Sequence, residues 1–452
     1  MEDTMVGNEL FGLGPAIRRH RLLGPLFRAL LSKRELLHGA SWSVAAAVVA
    51  RSSNLAALII CARLLPQERF GEVAIIQGTV GMFGPLAGLG LSATTTKFLA
   101  EYRTADRLRA GRILALSLAM AAIAGLMMTG ALILFAPQLA ARGLAAPQLS
   151  GSLVAASGLL LFGVFEAVQT GALVGFEAFS RIARLSCWNG LLSIPVIVLL
   201  TYLYGSQGAL AGLTLSVALS CLLNWIALRA ACRRYDVHPT FKGCSSERHV
   251  LLSFSLPSYL SGLLVAPATW LTSAYLVNQP GGYSEMALFG AADRFRYLLI
   301  FLPLAASRIA IPALSRYRSS GDHDGYRSAF RWNLIFGLLT TVVPALACIA
   351  LSRFLMSWYG VDFRKGWPVL SILALSAIPT VLNTQLGSAL LSNNRAWSRT
   401  VADMVLTIVF LSVAWVAIPR WGSVGLAGSF VLAYSAACLM MWISLRKGHA
   451  KS

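Results

Sequence analysis

Apolar runs of about twenty residues recur along the chain, separated by short polar or charged connectors, and this pattern predicts a polytopic bundle of membrane-spanning helices. Twelve spans fit, near 39–62, 70–92, 113–136, 149–170, 185–204, 207–230, 250–278, 285–307, 330–351, 367–391, 400–419 and 422–445. Connectors as tight as Gly205-Ser206-Gln207 and Arg420-Trp421 leave room only for a direct reversal between neighbouring spans. The fold class expected is therefore all-α, with about twelve transmembrane helices.

The two halves of the chain repeat one another at an offset of 217–219 residues. Phe70-Gly71 matches Phe289-Gly290, Pro85-Leu86-Ala87 matches Pro303-Leu304-Ala305, and Ala178-Phe179-Ser180-Arg181 matches Ala396-Trp397-Ser398-Arg399. The turn Gly205-Ser206-x-Gly208 matches Gly422-Ser423-x-Gly425. Each unit holds six spans, an even number, so both insert with the same orientation. A parallel repeat of this kind places the substrate at the interface of the two units. The domains expected are a basic segment 1–37, an N-lobe 38–230, a linker 231–249, a C-lobe 250–446 and a tail 447–452. Ala16–Lys33 has the composition of a basic amphipathic helix lying on a membrane surface, or of a frayed basic tail.

Composition sharpens the class. Hydrophobic residues make up 57% of the 452 and charged residues 12%, against about 25% charged in a soluble protein. The formal net charge of +20 would suggest nucleic acid in a soluble chain, but its distribution is topological. Of the 38 Lys and Arg, 28 fall on the side that carries both termini and the alternate loops. By the positive-inside rule both termini are cytoplasmic. The seven Cys show no C-x-x-C spacing, and no phosphate-binding loop, nucleophile elbow or zinc motif occurs. No cofactor, metal or catalytic residue is expected, and ion coupling to H+ or Na+ stays open.

Three cations remain inside predicted spans, Arg51, Arg294 and Arg296, and a charge at the bilayer centre costs about 2.5–3.5 kcal/mol. Their counterparts in the other half are neutral: Ala268 for Arg51, and Ile75–Gly78 for the stretch Asp293–Arg296. Scaffold shared by the repeat does not explain them. Arg51 and Asn54 share a helix face, and Arg294 and Arg308 are fourteen apart and line one face at two depths. Asp293 and Arg296 are three apart and can pair, as a structural ion pair or as a coupling site. Arg51 and Arg294 lack an obvious acidic partner on their own helices, so a shared polar lumen is weighed against hydrogen bonds to carbonyls or pairing with an acid elsewhere, such as Asp403. Glu166, Asp403 and the neighbours Arg69 and Glu72 read as interfacial pairs. Trp42, Tyr259, Trp270 and Tyr297 suit packing and interface anchoring more than stacking on sugars. Gly84-x-x-x-Gly88 reads as close helix packing. A cationic lumen suits an anionic cargo, and Arg suits bidentate phosphate recognition.

Gly39-Ala-Ser-Trp42, Ala62-Arg-Leu-Leu-Pro66, Phe70-Gly-Glu-Val73, Gly88-Leu-Gly-Leu-Ser92 and Ala287-Leu-Phe-Gly-Ala-Ala-Asp-Arg294 resemble the polysaccharide repeat-unit flippases, or O-antigen translocases, of the multidrug/oligosaccharidyl-lipid/polysaccharide exporter superfamily. The resemblance spans about 36–446. It implies two pseudo-symmetric six-helix lobes around a central, MATE-like cavity, with spans 1, 2, 7 and 8 bordering it. It also implies a cargo, an undecaprenyl-diphosphate-linked glycan of O-antigen or exopolysaccharide type, moved across the bacterial inner membrane by alternating access. A polysaccharide polymerase and chain-length proteins are candidate partners. The twelve expected spans are two fewer than is typical of the lipid II flippase branch, which favours a surface-polysaccharide cargo over the cell-wall precursor. An ion-coupled multidrug or small-solute antiporter of the same superfamily is the alternative. The residues expected to hold cargo are Arg51, Asn54, Arg294, Arg296 and Arg308.

Overall fold

The computed structural model describes residues 34–88, 90–241, 264–319, 322–392 and 395–449. Most of the basic segment 1–37, the linker from 242 onward, the first half of span 7 with Tyr259, the side chains of Trp42 and Arg308, and the last residues of the tail lie outside that description.

Within the described residues the apolar runs fold as helices. In order they are α1 (Arg34–Leu64), α2 (Gln67–Gly88), α3 (Leu91–Ala105), α4 (Arg107–Gln138), α5 (Ser150–Gly175), α6 (Phe179–Tyr235), α7 (Leu264–Val277), α8 (Gly282–Ser319), α9 (His323–Ala350), α10 (Trp367–Ser392) and α11 (Ala396–His449). Among the described residues, six are long and apolar enough to cross a membrane, or seven if the bent pair α2–α3 is one span. Two of the six, α6 and α11, run 57 and 54 residues, far more than the twenty or so a bilayer needs. Each reverses at one glycine, Gly205 with φ 60 and ψ −137, and Gly422 with φ 55 and ψ −128. Both helices therefore hold two of the expected spans each, 185–204 with 207–230 and 400–419 with 422–445. Starts are set locally: Asp106 accepts from Arg109 N at the head of α4, and Asp322 from Gly325 N at the head of α9.

The repeat motifs acquire a physical meaning. Gly205 and Gly422 share a positive-φ conformation that side-chain-bearing residues rarely adopt. Three residues on, a Cβ on Gly208 would lie 1.8 Å from Leu200 O, and one on Gly425 would lie 2.4 Å from Ala417 O. The Gly-Ser-x-Gly turn thus needs both glycines, in both halves. The matched pair Gly71 and Gly290 forms the crossing of α2 and α8. A Cβ on Gly71 would meet Tyr283 O at 1.9 Å, and one on Gly290 would meet Ala74 Cβ at 2.8 Å. The matched prolines behave differently. Helix α2 ends three residues beyond Pro85, with Gly90 left-handed at φ 67 and α3 leaving at 42°, whereas α8 runs through Pro303 as one helix.

Packing follows the halves. α1 packs on α6, and α5 gathers α2, α3, α4 and α6; in the second half α8, α9, α10 and α11 pack together. Across the halves, α2 packs on α8, and α1 touches it. These cross contacts concentrate at the end away from the termini. Arg63 Nε donates to Trp358 O at 2.6 Å, Gln67 Nε2 to Ser284 O at 3.2 Å, Asn278 Nδ2 to Gly143 O at 2.8 Å, and Tyr283 Oη to Leu144 O at 2.8 Å. Phe70 meets the rings of Tyr359 and Phe363 edge-on, with centroids 6.0 and 5.6 Å away. That end is sealed. Towards the other end α2 shows an open face: Gly78, Gly81, Gly84 and Gly88 have no described atom within 4 Å of a built Cβ. Among the described residues nothing packs on Gly84 or Gly88, so the close packing expected of Gly84-x-x-x-Gly88 is not seen there, and the two halves part below the level of Thr79.

Candidate functional site

Where the halves part, they enclose a cavity of about 550 Å³. α2 contributes Gln77, Gly78, Gly81 and Pro85, α7 contributes Thr269, Trp270 and Ser273, α8 contributes Asp293, Arg294, Arg296 and Tyr297, and α11 contributes Phe430 and Tyr434. The wall from the first half is smooth because its glycines carry no side chains. The opposite wall holds the charge and most of the aromatic surface.

The three charges of α8 divide into two arrangements. Arg296 Nε donates to Asp293 Oδ1 at 2.7 Å, one helical turn away. The Arg296 side chain is only 5% exposed against 18% for Asp293. Its guanidinium lies 4.6 Å from the Phe430 ring centroid and 5.2 Å from that of Tyr297. An Arg held by a carboxylate and between two rings is fixed in place. Asp293 and Arg296 therefore form the ion pair that their spacing allows, and each neutralises the other at the cavity wall. Arg294 is half-buried and reaches across to the other half, where Nη2 donates to Gln77 Oε1. Among the described residues Arg294 has no acidic partner, so its charge is the one the cavity wall leaves uncompensated. A guanidinium has five N–H donors, and one bond to an amide leaves an edge for a planar anion.

The other expected site residues are placed differently. Arg51 is exposed on α1, with its guanidinium 4.1 Å over the ring of Phe301. Phe301 is seven residues beyond Arg294 on α8, about 10 Å along the helix. Arg51 therefore faces α8 two turns nearer the terminal end, and neither it nor the half-buried Asn54 is among the residues lining the cavity. Arg308 continues α8 beyond that level, and its side chain lies outside the described residues. Trp270 and Tyr297 both line the cavity; the Trp270 indole N–H donates to Thr79 Oγ1 at 2.9 Å, and Tyr297 is 48% exposed. Asp403 pairs with Arg399 at 3.8 Å and Arg69 with Glu72 at 3.0 Å, as interfacial acids do. Glu166 departs from that expectation: it has no ion pair among the described residues and accepts from Ser220 Oγ at 2.5 Å.

Gln77 escaped the sequence reading, which treated its segment as the neutral counterpart of Asp293–Arg296. The signal was present, since Gln77 precedes Arg294 by 217 residues, the spacing that separates Gly205 from Gly422. Phe430 and Tyr434 carried no signal of their own, because aromatic residues in an apolar span read as packing.

Fold and site together define a two-half helical membrane protein of the carrier type, with a cavity between halves that are sealed at one end. A family model described as polysaccharide biosynthesis protein matches residues 36–318, and the chain belongs to that family. The EPS I polysaccharide export inner membrane protein EpsE of Ralstonia solanacearum is 23% identical over 428 residues, covering 92% of this chain and 95% of that one. Among solved structures, an inward-facing conformation of a multidrug resistance MATE family transporter of the MOP superfamily superposes with a TM-score of 0.76 at 18% identity, covering 88% of this chain and 94% of that one. The lipid II flippase MurJ, in an inward closed conformation, superposes with a TM-score of 0.67 at 13% identity, over 91% of this chain and 87% of that one. The fold is MATE-like, and the chain is a multi-pass membrane protein.

Proposed function

We propose that the protein is a flippase for a lipid-linked oligosaccharide, taking the diphosphate and first sugars of an undecaprenyl-diphosphate-linked glycan into the cavity while the prenyl chain stays in lipid. The observation that carries the reading is Arg294, a cation without an acidic partner among the described residues, at the closed end of a cavity between the halves. Membership of a polysaccharide biosynthesis family supports the glycan, and the likeness to a polysaccharide export inner membrane protein supports the compartment. The distribution of Lys and Arg supports cytoplasmic termini, so the sealed end faces outward and the cavity takes its cargo from the inner leaflet. An anion moved outward runs with an inside-negative potential worth about 2.3 kcal/mol per charge per 100 mV.

A multidrug antiporter shares the fold, but export of cations needs an acidic lumen. Here the cavity carboxylate, Asp293, is already neutralised by Arg296. Reconstitution of the full chain with a fluorescent undecaprenyl-diphosphate glycan tests the reading. Arg294→Ala should reduce translocation at least tenfold, about the worth of one lost charge-assisted hydrogen bond, while Arg294→Lys retains part of it. Undiminished transport by Arg294→Ala at normal expression would overturn the cationic site.

A further inference from the structure

Residues 351–366 connect α9 to α10 at the sealed end, as a short helix Ser352–Ser357 and a 3-10 turn Asp362–Gly366. The two faces of this loop differ. On the inner face Met356, Tyr359 and Phe363 are buried, and the last two are the rings that meet Phe70. The backbone is held there too, by the bond from Arg63 to Trp358 O. On the outer face Phe354 is 58% exposed and Val361 89%.

That outer face continues a lipid-facing stripe. Leu339, Val343 and Leu346 are exposed at helical spacing along α9, a helix apolar enough to cross a membrane. Leu351, Phe354 and Trp358 prolong the stripe past the end of α9 at similar spacing. The 28 residues of α9 reach about 42 Å, more than a hydrocarbon core of about 30 Å, so the loop lies at headgroup level. Trp at that level is a common anchor, and the Trp358 ring meets Phe354 edge-on with centroids 5.5 Å apart.

The loop also carries charge of one sign. Arg353, Arg364 and Lys365 are exposed, form no ion pair among the described residues, and face one acid in the loop, Asp362. The Arg353 guanidinium lies 4.7 Å from the Trp367 ring centroid, across the edge of the apolar surface. Topology does not explain these cations, because the end away from the termini is the one poor in Lys and Arg. The repeat does not explain them either. The loop at the same place in the first half, 139–149, holds Arg142 alone and no aromatic residue.

We propose that the 351–366 loop is a foot in the membrane surface that binds anionic phospholipid. Phe354, Trp358 and Val361 enter the boundary of headgroups and acyl chains, and Arg353, Arg364 and Lys365 take the lipid phosphates. With the outward orientation proposed above, the lipid belongs to the outer leaflet. Foot and seal are two faces of one loop, so headgroups bound outside hold Tyr359 and Phe363 against Phe70 inside.

Two measurements on the full-length protein test this in vesicles of phosphatidylethanolamine with and without phosphatidylglycerol. A fluorophore on Val361→Cys, with identically treated wild type subtracted for the native thiols, should be quenched by brominated lipid and shielded from iodide. The same fluorophore on Gln148→Cys, exposed in the first-half loop, should be open to iodide. Equal access of iodide to the two positions would overturn the membrane seat and leave the patch to a soluble partner. Brominated phosphatidylglycerol should reach half its quenching at about fivefold lower content than brominated phosphatidylethanolamine, the worth of one cation at an anionic surface. Arg364→Gln with Lys365→Gln should abolish that preference, and equal quenching by both lipids with all three cations in place would overturn the anionic headgroup. The second measurement reads the seal. A disulfide between Gln67→Cys and Ser284→Cys should form about fivefold faster with phosphatidylglycerol present, and the two Gln substitutions should remove the difference. A rate indifferent to phosphatidylglycerol would overturn the hold on the seal. Both readouts are independent of glycan transport, and the vesicles present the same lipids in either leaflet. A protein that passes both and moves no glycan would count against the transport reading alone.

Discussion

At the scale of single residues, α8 sets two arginines within one turn to different tasks. Arg296 is locked by Asp293 and two rings, and Arg294 is presented to the cavity by a neutral amide. Removing one member of a buried pair strands the other. Asp293→Asn should therefore destabilise the protein by about 3 kcal/mol, the low end of the usual penalty because Asp293 is partly exposed to the cavity. The lowered melting temperature in detergent should recover in part when Arg296→Met is added. A fall in transport without loss of stability would instead assign Asp293 to the transport step. Spacing alone made the Asp293–Arg296 pair legible, because residues three apart on a helix are neighbours. The partner of Arg294 was not legible from its own helix, since it comes from the other half of the chain. Arg51 shows the same limit, since nothing on α1 indicates that it meets α8 at Phe301, two turns from Arg294.

At the scale of elements, the glycines carry the architecture. Gly71 and Gly290 let α2 and α8 cross in backbone contact, and Gly205 and Gly422 reverse two long helices in the same conformation. Gly71→Val should force the crossing apart and cost about 1–3 kcal/mol, the usual range for overpacking, read as lost monodisperse protein on gel filtration. The open-faced Gly84→Ala should leave stability close to wild type. Equal effects at the two positions would contradict the packing described. Much of this was present in the sequence as matched positions, because a repeat preserves what both halves need. The asymmetry of α2 and α8 was not, since Pro85 and Pro303 look alike and only the backbone reveals that Gly88–Gly90 interrupts one helix. The open face of α2 was hidden for a related reason, as glycines four apart serve close packing and a smooth cavity wall equally well.

For the whole molecule, the sealed end holds the two halves through backbone carbonyls and an aromatic cluster, and the cavity begins where those contacts stop. Cross-linking should therefore be selective. The double variant Gln67→Cys with Ser284→Cys should form a disulfide under mild oxidant and block translocation, with reductant restoring it. Free translocation by the cross-linked protein would mean that this end does not open in the cycle.

The seal at Phe70 also has a thermodynamic reading. A carrier that visits two arrangements must hold them within a few kcal/mol of each other, so every contact unique to one arrangement acts as a weight on their ratio. Each edge-to-face ring pair is worth about 0.5–1.5 kcal/mol beyond its burial, and each 1.4 kcal/mol changes a population tenfold. The cluster of Phe70 with Tyr359 and Phe363 is thus a setting of the resting equilibrium, and trimming one ring moves that setting while every residue of the cargo site stays in place.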